Sequence, residues 1–291
     1  MNIMIEPNLP AAQVTLPGTY HDVDNEVYHR GPGVSNSGLR NLARSPFHFY
    51  SLHLDPNRPK PTVKPGQLEG TLAHCTILEP LQFANRYVCG PAVRANTNEW
   101  KAFAALHNEK QVIHTEQYET ARAQALSVRR LPDVAELLSR GHAEVSAYWH
   151  EPVTDPATGE INQVLCRIRP DWVHPVNDDS VILLDVKTFS DASPQEFARQ
   201  IRRKSYHCQN AFYKRGYEKA TGKKVLAFVF AAVETNWPFA ASAVMLDEGD
   251  VAAGDAQNKR LLQVYARCVS SNTWPSYSDA IVPVSIPNYS N

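Results

Sequence analysis

The sequence predicts an α/β protein with a central mixed β-sheet that is flanked by helices on both sides. Short continuous apolar runs are typical of strands buried on both faces of a sheet. Segments with helix-start and helix-stop signals separate these runs. A chain of 291 residues that is 43% hydrophobic can also bury a large core between such layers. The strands are expected at residues 144–150, 163–170, 181–187, 225–233 and 240–246.

The first 33 residues differ in composition from the rest of the chain. They are rich in Pro, Gly, Asn and Asp, which predicts an N-terminal arm or irregular cap over residues 1–33. Residues 34–291 are expected to form one domain. Its first helix should begin at Ser35 or Ser37, which are good capping residues, and end before Pro46.

The other helices are predicted at residues 67–79, 98–140, 195–220 and 250–268, where the segment 98–140 has the pattern of a helical hairpin. The helix at 67–79 carries His74 among apolar neighbours. Such a histidine is either a satisfied core residue or a neutral imidazole directed at a metal.

The strand at residues 181–187 ends with two charged side chains. Because side chains alternate along a strand, Asp185 and Lys187 leave on one face and Val186 on the other. A carboxylate and an ammonium in this position are costly unless a metal, a substrate or each other satisfies them. Asp171 ends the preceding strand-like run, and the polar chain between predicts a turn that pairs the two strands antiparallel. Asp171 is therefore expected beside Asp185.

Two acids and a lysine that converge have the chemistry of a metal-dependent phosphodiesterase. Hard divalent cations need oxygen ligands, which Asp171, Asp185 and the backbone carbonyl of Val186 would provide. Lys187 would orient the attacking water or stabilise the charge of the transition state. The alternative interpretation is a surface salt bridge at the end of a strand.

Charge is balanced over the whole chain but not locally. The formal net charge of −1 excludes a global basic field of the kind that attracts nucleic acid. Between Arg199 and Lys224, however, nine basic residues stand against Glu218 alone, which gives this segment a charge of +8. The run is either a solvated face or a surface that grips a polyanion.

The cysteines and the chain start indicate the compartment. Five scattered cysteines without a C-x-x-C pair indicate reduced thiols rather than a disulfide framework. The chain start lacks a basic and an apolar signal region, and no stretch is apolar enough to span a membrane. We therefore expect a cytoplasmic protein without a membrane partner.

Three ordered motifs resemble those of the RecB-like branch of the PD-(D/E)XK nucleases. Residues 170–171 read PD, and residues 185–187 read D-V-K. The G-x-x-x-H motif that ends at His74 is similar to a helix whose histidine is a metal ligand in that branch. Gln209 and Tyr213 match its Q-x-x-x-Y motif. Their i, i+4 spacing puts both on one helical face, where they would hold the DNA backbone near the metal.

A wider set of segments, at residues 28–39, 78–87, 167–171 and 206–209, resembles the C-terminal nuclease domain of the RecE-type exonucleases (exonuclease VIII). The similarity extends over about residues 20–280. It implies a restriction-endonuclease-like fold and Mg²⁺-dependent 5′→3′ digestion of one strand of linear double-stranded DNA. It also implies a role in phage-type recombination, a homo-oligomeric ring, and a RecT-type annealing protein that loads on the 3′ overhang.

The same resemblance assigns the site to His74, Asp171, Asp185 and Lys187. Glu144 occupies a position where similar sequences also have an acid, and it is either near or among the metal ligands or part of a structural salt bridge. Imidazole beside two carboxylates suits Mn²⁺ as well as Mg²⁺. An iron–sulfur cluster, which some RecB-like nucleases hold with four cysteines, is not expected, because only two cysteines follow the core.

The DNA-binding residues are expected on the helices after the D-x-K strand, and besides Gln209 and Tyr213 they are Arg202, Arg203 and Lys204. Two other functions stay open at this point. One is a catalytically silent protein that binds DNA ends or acts as a scaffold, and the other is an endonuclease with the same fold.

Overall fold

The computed structural model describes residues 16–59, 62, 65–155 and 158–285, which form ten strands and eleven α-helices. The strands are β1 (Gly18–Tyr20), β2 (Tyr87–Cys89), β3 (Gln111–Ile113), β4 (His142–Ala143), β5 (Ser146–Thr154), β6 (Ile161–Ile168), β7 (Trp172–Asn177), β8 (Ser180–Phe189), β9 (Lys224–Glu234) and β10 (Ala241–Val244). The helices are α1 (Asn25–Arg30), α2 (Asn36–Arg44), α3 (Pro46–Phe49), α4 (Gln67–Leu78), α5 (Phe83–Arg86), α6 (Asn98–Leu106), α7 (Thr115–Arg129), α8 (Pro132–Leu137), α9 (Pro194–Lys204), α10 (Tyr206–Thr221) and α11 (Glu248–Ser271).

A five-stranded mixed sheet of order β10-β9-β8-β7-β4 is the centre of the fold. β8 and β9 run parallel, and the other neighbours are antiparallel. Leu183 and Leu184 point to opposite faces of β8, and both are fully buried, as in a strand covered on both sides. The prediction of a central mixed sheet flanked by helices is confirmed.

The two faces of this sheet are covered by different helices. On one face, side chains of α4, α7 and α8 pack on Leu184 and Val186. On the other face, α9, α10 and α11 pack around Leu183 of β8 and Phe230 of β9. By alternation, Asp185 shares the face of Leu183 and therefore points towards α9 and α10.

The expected membership of the central sheet is wrong for two strands. β5 and β6 belong to a separate antiparallel sheet of order β1-β5-β6. The strand that pairs with β8 is β7, which lies in a segment where Pro175, Asn177, Asp178 and Asp179 predict a turn. Pro175 lies opposite Val181 at a register irregularity, beyond the end of the two-residue strand β4. Sheets tolerate proline at edges and irregularities, and the turn itself is formed by Asp178 and Asp179.

Most predicted helices are found close to their expected bounds. Ser35 caps α2, because its Oγ accepts a hydrogen bond of 3.2 Å from the backbone N–H of Gly38. The predicted helical hairpin at 98–140 differs, because β3 lies between α6 and α7 and pairs in parallel with β2. None of the helices in the described ranges has the length and apolar character needed to cross a bilayer.

Residues 16–33 of the predicted arm pack as a cap on the second sheet, while residues 1–15 lie outside the described residues. β1 pairs with β5, and the buried guanidinium of Arg167 donates to three backbone carbonyls of segment 28–31. The buried Arg169 donates to the carbonyl of Val23 at 2.9 Å. The cap is thus fixed by hydrogen bonds from the strand β6 and its C-terminal extension.

Close packing of α10 on β5 gives a test of this architecture. A Cβ at Gly216 would lie 2.5 Å from ring atoms of the fully buried Trp149. We expect Gly216→Ala to lower the free energy of unfolding by about 1–3 kcal/mol, the usual cost of overpacking, even though alanine favours helices. Thermal denaturation measures this. In the control Gly249→Ala, nothing lies within 4 Å of the added Cβ, so its Tm should stay equal or rise. An unchanged Tm for Gly216→Ala would contradict the packing.

Candidate active site

The candidate site lies where β8 extends past its neighbour β7. β7 begins at Trp172, which pairs with Leu184, so among the described residues the segment 185–187 has no strand partner on that side. Asp171 fills the start of this gap, because its Oδ2 accepts a hydrogen bond of 2.7 Å from the backbone N–H of Val186. In a strand the N–H and the C=O of one residue point to the same side. The carbonyl of Val186 therefore also faces this free edge.

Three side chains that can ligate a metal meet at the free edge of β8. His74 of α4, Glu144 of the β4–β5 connection and Asp171 each offer one ligand atom, and these atoms lie within 4.8 Å of one another. The Nδ1 atom of His74 is 3.4 Å from Oδ2 of Asp171. The packing of α4 against β8 brings the imidazole to the acids, so the structure unites these three residues from distant parts of the chain.

Glu144 has an unusual backbone and an unusual side-chain environment. Its φ of +52° is left-handed, which costs about 1–2 kcal/mol for a residue with a Cβ and is often found at functional sites. Its N–H donates to the carbonyl of Asp171 at 3.1 Å. Burial, and then the neighbouring carboxylate of Asp171, raise the pKa of Glu144 to about 8. β5 begins at Ser146, so Glu144 lies before the strand on which the sequence predicts it.

Asp185 is only 2% exposed and is held by two polar partners. Gln209 Nε2 donates to its Oδ1 at 2.5 Å, and Lys187 forms an ion pair with its Oδ2. Burial raises the pKa of Asp185 to about 6, with Asp171 adding to the rise and Lys187 opposing it. Burial alone would lower the pKa of Lys187, but the two carboxylates raise it above its ordinary value. The Lys187 ammonium also lies 5.5 Å from the centre of the Tyr206 ring.

The predicted DNA-contacting pair on α10 lies beside the acids. Gln209 is buried and bonded to Asp185, while the ring of Tyr213 packs on Phe228 with 5.8 Å between centroids. Their contact with DNA stays a prediction. Sequence reasoning missed Tyr206, although its position three residues before Gln209 places it on the same helical face and is the signal that could have identified it.

The basic segment, residues 199–224, extends from the middle of α9 through α10 to the start of β9. Its side chains Arg202, Arg203 and Lys204 are exposed at the C-terminal end of α9, and within the described ranges none of them forms an ion pair. Other basic residues of the segment are already engaged, since Arg199 pairs with Glu196 at 3.1 Å and Arg215 pairs with the buried Glu151. Tyr206, whose ring lies 5.5 Å from the Lys187 ammonium, begins α10 two residues after Lys204.

The donor atoms fit a hard divalent cation. Carboxylate oxygens with one imidazole suit Mg²⁺ or Mn²⁺. The pKa values of Glu144 and Asp185 are both raised, first by burial and further by the charge of Asp171. This means that the cluster holds more negative charge than its protein neighbours neutralise. A cation bound by these residues would remove that penalty.

The raised pKa of Glu144 has a consequence for stability that can be measured. The folded protein retains a proton on this carboxyl that the unfolded chain releases near the ordinary value of 4.5. The contribution of Glu144 to stability therefore falls as the pH rises from about 5 to 8. In EDTA, we expect the Tm of Glu144→Gln relative to wild type to increase over this range, as differential scanning calorimetry can measure. The variant Glu109→Gln, at an exposed position in a turn, is measured beside it as the reference for the charge change alone. A constant offset for Glu144→Gln would contradict the raised pKa.

Comparisons with known proteins agree with this architecture. A candidate exonuclease from Eubacterium rectale has a similar structure, with a TM-score of 0.57 at 12% identity over 92% of this chain and 97% of that chain. An alkaline exonuclease from Laribacter hongkongensis matches 62% of this chain and 86% of its own at 10% identity, and its TM-score of 0.26 carries no argument. None of the curated proteins matches the chain.

The sequence family described as PDDEXK-like domain of unknown function (DUF3799) matches residues 35–283. This match confirms the predicted restriction-endonuclease-like fold and the membership in the PD-(D/E)XK superfamily. It extends over all described strands except β1, and over all described helices except α1. The chain therefore belongs to the family of PDDEXK-like domains of unknown function.

Proposed function

We propose that this protein is a metal-dependent exodeoxyribonuclease that hydrolyses phosphodiester bonds of linear double-stranded DNA. One observation carries the proposal. At the free edge of β8, in a PD-(D/E)XK fold, the structure brings His74, Glu144 and Asp171 together beside the ion pair of Asp185 and Lys187. An ordinary surface salt bridge has no need of three further ligating groups at the same edge.

The side chains gathered at the edge of β8 are the proposed ligands of the metal. A bound Mg²⁺, or Mn²⁺, would supply a Lewis acid that polarises the scissile phosphate and lowers the pKa of a water molecule. His74, Glu144 and Asp171 would hold it. The carbonyl of Val186 would add an oxygen ligand, because it faces the same edge as Asp171. The resemblance of the motifs adds Asp185, whose carboxylate now pairs with Lys187 and Gln209.

Lys187 acts in this scheme as a cation rather than as a base. Asp185 and Asp171 raise its pKa, so the ammonium stays protonated at neutral pH. It would donate a hydrogen bond to a phosphoryl oxygen and stabilise the charge that develops in the transition state. The Gln209 amide and the Tyr206 ring hold the pair of Asp185 and Lys187 in place, which is the support that orients groups near a metal.

The DNA would approach over the exposed end of α9. Arg202, Arg203 and Lys204 are free to contact phosphates there, and such contacts supply most of the sequence-independent affinity for DNA. Gln209 and Tyr213 lie deeper, beside the acids, and would meet only the strand that enters the site.

The finer assignment rests on the resemblance of the motifs to the RecE-type exonucleases, and on the fold shared with the candidate exonuclease from Eubacterium rectale. In this assignment the enzyme digests DNA 5′→3′ and leaves 3′ single-stranded overhangs for recombination by annealing. Homo-oligomerisation as a ring and a RecT-type annealing partner are part of the same proposal.

Digestion of end-labelled DNA tests the proposed activity. With Mg²⁺, wild type should release nucleotides from the 5′ end of a linear duplex, and EDTA should abolish this. Asp171→Asn, Asp185→Asn and Lys187→Met should each lower kcat at least about 100-fold, because each removes charge stabilisation of the transition state. Gln209→Leu should cost about 10-fold as a supporting residue. Lys101→Met, at an exposed position on α6, is the control.

A covalently closed circle separates the remaining functions. Survival of the circle beside a digested linear duplex supports the exonuclease, whereas cutting of the circle identifies an endonuclease. Binding of linear DNA without metal-dependent cleavage, with equal behaviour of wild type and Asp185→Asn, would show a catalytically silent end-binding protein and overturn the proposal.

Metal affinity should depend on pH through the same carboxyls. Because the pKa values of Glu144 and Asp185 are raised to about 8 and about 6, metal binding at pH 6 must displace protons. We expect the affinity for Mn²⁺, measured by isothermal titration calorimetry, to rise at least about 10-fold from pH 6 to pH 8. Glu144→Gln should bind more weakly with a flatter pH dependence. Buffers of different ionisation enthalpy report the released protons, and the absence of proton release would count against these ligands.

A further inference from the structure

The turn between β9 and β10 exposes a tryptophan at the catalytic end of the central sheet. Trp237 is 84% exposed. Single exposed apolar residues are common on protein surfaces, but tryptophan is usually largely buried because its ring is the largest apolar side chain. Its exposure can come either from a loose loop or from a fixed backbone that holds the ring in solvent.

The backbone of this turn is fixed, so the exposure of the ring does not come from a loose loop. The N–H of Thr235 donates to the carbonyl of Phe189, and the buried Gln124 of α7 donates to the carbonyl of Glu234 at 2.8 Å. Phe239 follows in the turn and packs against the core formed by α4, α7 and α8. Residues on both sides of Trp237 are thus anchored, and the indole is held outward between them.

The register of the sheet places this turn near the proposed site. β8 and β9 run parallel, and Lys187 pairs with Ala232. Trp237 comes five residues later, so the turn extends at most about 16 Å beyond Lys187 along the strand direction. This is about five nucleotides of one strand of B-form DNA. On the adjacent strand, Ser242 of β10 donates to the carbonyl of Ala192, just before α9, and the other end of this helix carries Arg202, Arg203 and Lys204.

We propose that Trp237 stacks on a nucleobase of the DNA substrate, about five nucleotides or fewer from the scissile phosphate. The proposal rests on the proposed DNA-cleaving function of the same site. A positively charged segment that tracks phosphates and an aromatic ring that stacks on bases form the usual combination of nucleic-acid channels, and every base offers a π-face. The ring would hold the strand in register while Asp185 and Lys187 act on the phosphate.

The test measures DNA binding separately from cleavage. Duplex oligonucleotides carry 2-aminopurine at successive positions from one end, and they are titrated with protein in EDTA so that no strand is cut. The variants are Trp237→Ala, which removes the ring, and Trp237→Phe, which keeps a smaller one. Met245→Ala is the matched control, because Met245 is 66% exposed and follows the opposite end of β10 from the turn.

We expect Trp237→Ala to weaken DNA binding by about 5- to 100-fold and Trp237→Phe to weaken it less, which is the range for loss of one stacked base. Wild type should change 2-aminopurine emission at one or two neighbouring positions, and Trp237→Ala should abolish that change. Met245→Ala should bind like wild type. With Mg²⁺, Trp237→Ala should raise KM by a larger factor than it lowers kcat, because the ring contacts the DNA but not the reacting atoms.

Equal affinities for wild type and Trp237→Ala would overturn the stacking proposal, whether or not wild type cleaves DNA. The stacking proposal would also be overturned if Trp237→Ala kept its DNA affinity but changed its molar mass in light scattering. That result would show that Trp237 lies in a protein interface. Weaker binding and lost emission change in Trp237→Ala support stacking even if wild type cleaves nothing. In that case only the proposed catalysis fails.

Discussion

The hydrogen bond from the backbone N–H of Val186 to the carboxylate of Asp171 is the contact on which the site depends. A side chain takes the place of a strand at this point, because β7 ends its pairing with β8 at Leu184. One more residue of pairing would cover the edge that His74 and Glu144 now share with Asp171. Because β7 begins only at Trp172, the edge of β8 beyond Leu184 stays open. Asp171, the residue before β7, is the first possible ligand at this edge.

The charges of the site are divided between the two sides of β8. Lys187 and Gln209 reach Asp185 from the side of α10, where packing is tight and the carboxylate is almost fully buried. His74 and Glu144 gather at the free edge, where the side chains are only partly buried. Asp185 is therefore paired with a cation of the protein, whereas among the described residues neither Glu144 nor Asp171 has an ion pair with a lysine or arginine. This asymmetry is the arrangement that a cation from solution can complete.

Much of the fold could be predicted from the sequence, because buried strands and capped helices carry local signals such as Ser35 before α2. The expected proximity of Asp171 and Asp185 is found, but β7 between them lies in a segment predicted as a turn from Pro175 and the polar residues after it. Proline indicates a turn through its local backbone preference. Whether a strand can contain it depends on the neighbouring strand, and β7 accommodates Pro175 because β4 ends before reaching it. The division into two sheets and the contact of Gln209 with Asp185 are likewise non-local. Such pairings depend on which surfaces meet, and no short pattern encodes that.

The cap has a consequence for any shortened version of this protein. The family match begins at residue 35. A chain truncated at this boundary would lack β1, α1 and the carbonyls that accept hydrogen bonds from Arg167 and Arg169. The buried Arg167 would then lose three carbonyl partners, and the buried Arg169 would lose the carbonyl of Val23 but keep Ser146 Oγ. Buried charge without full compensation costs several kcal/mol. Arg167 and Arg169 lie four and two residues before Asp171 in the chain. A truncation at the family boundary would consequently disturb the segment that positions the first acid, although it deletes no residue of the site.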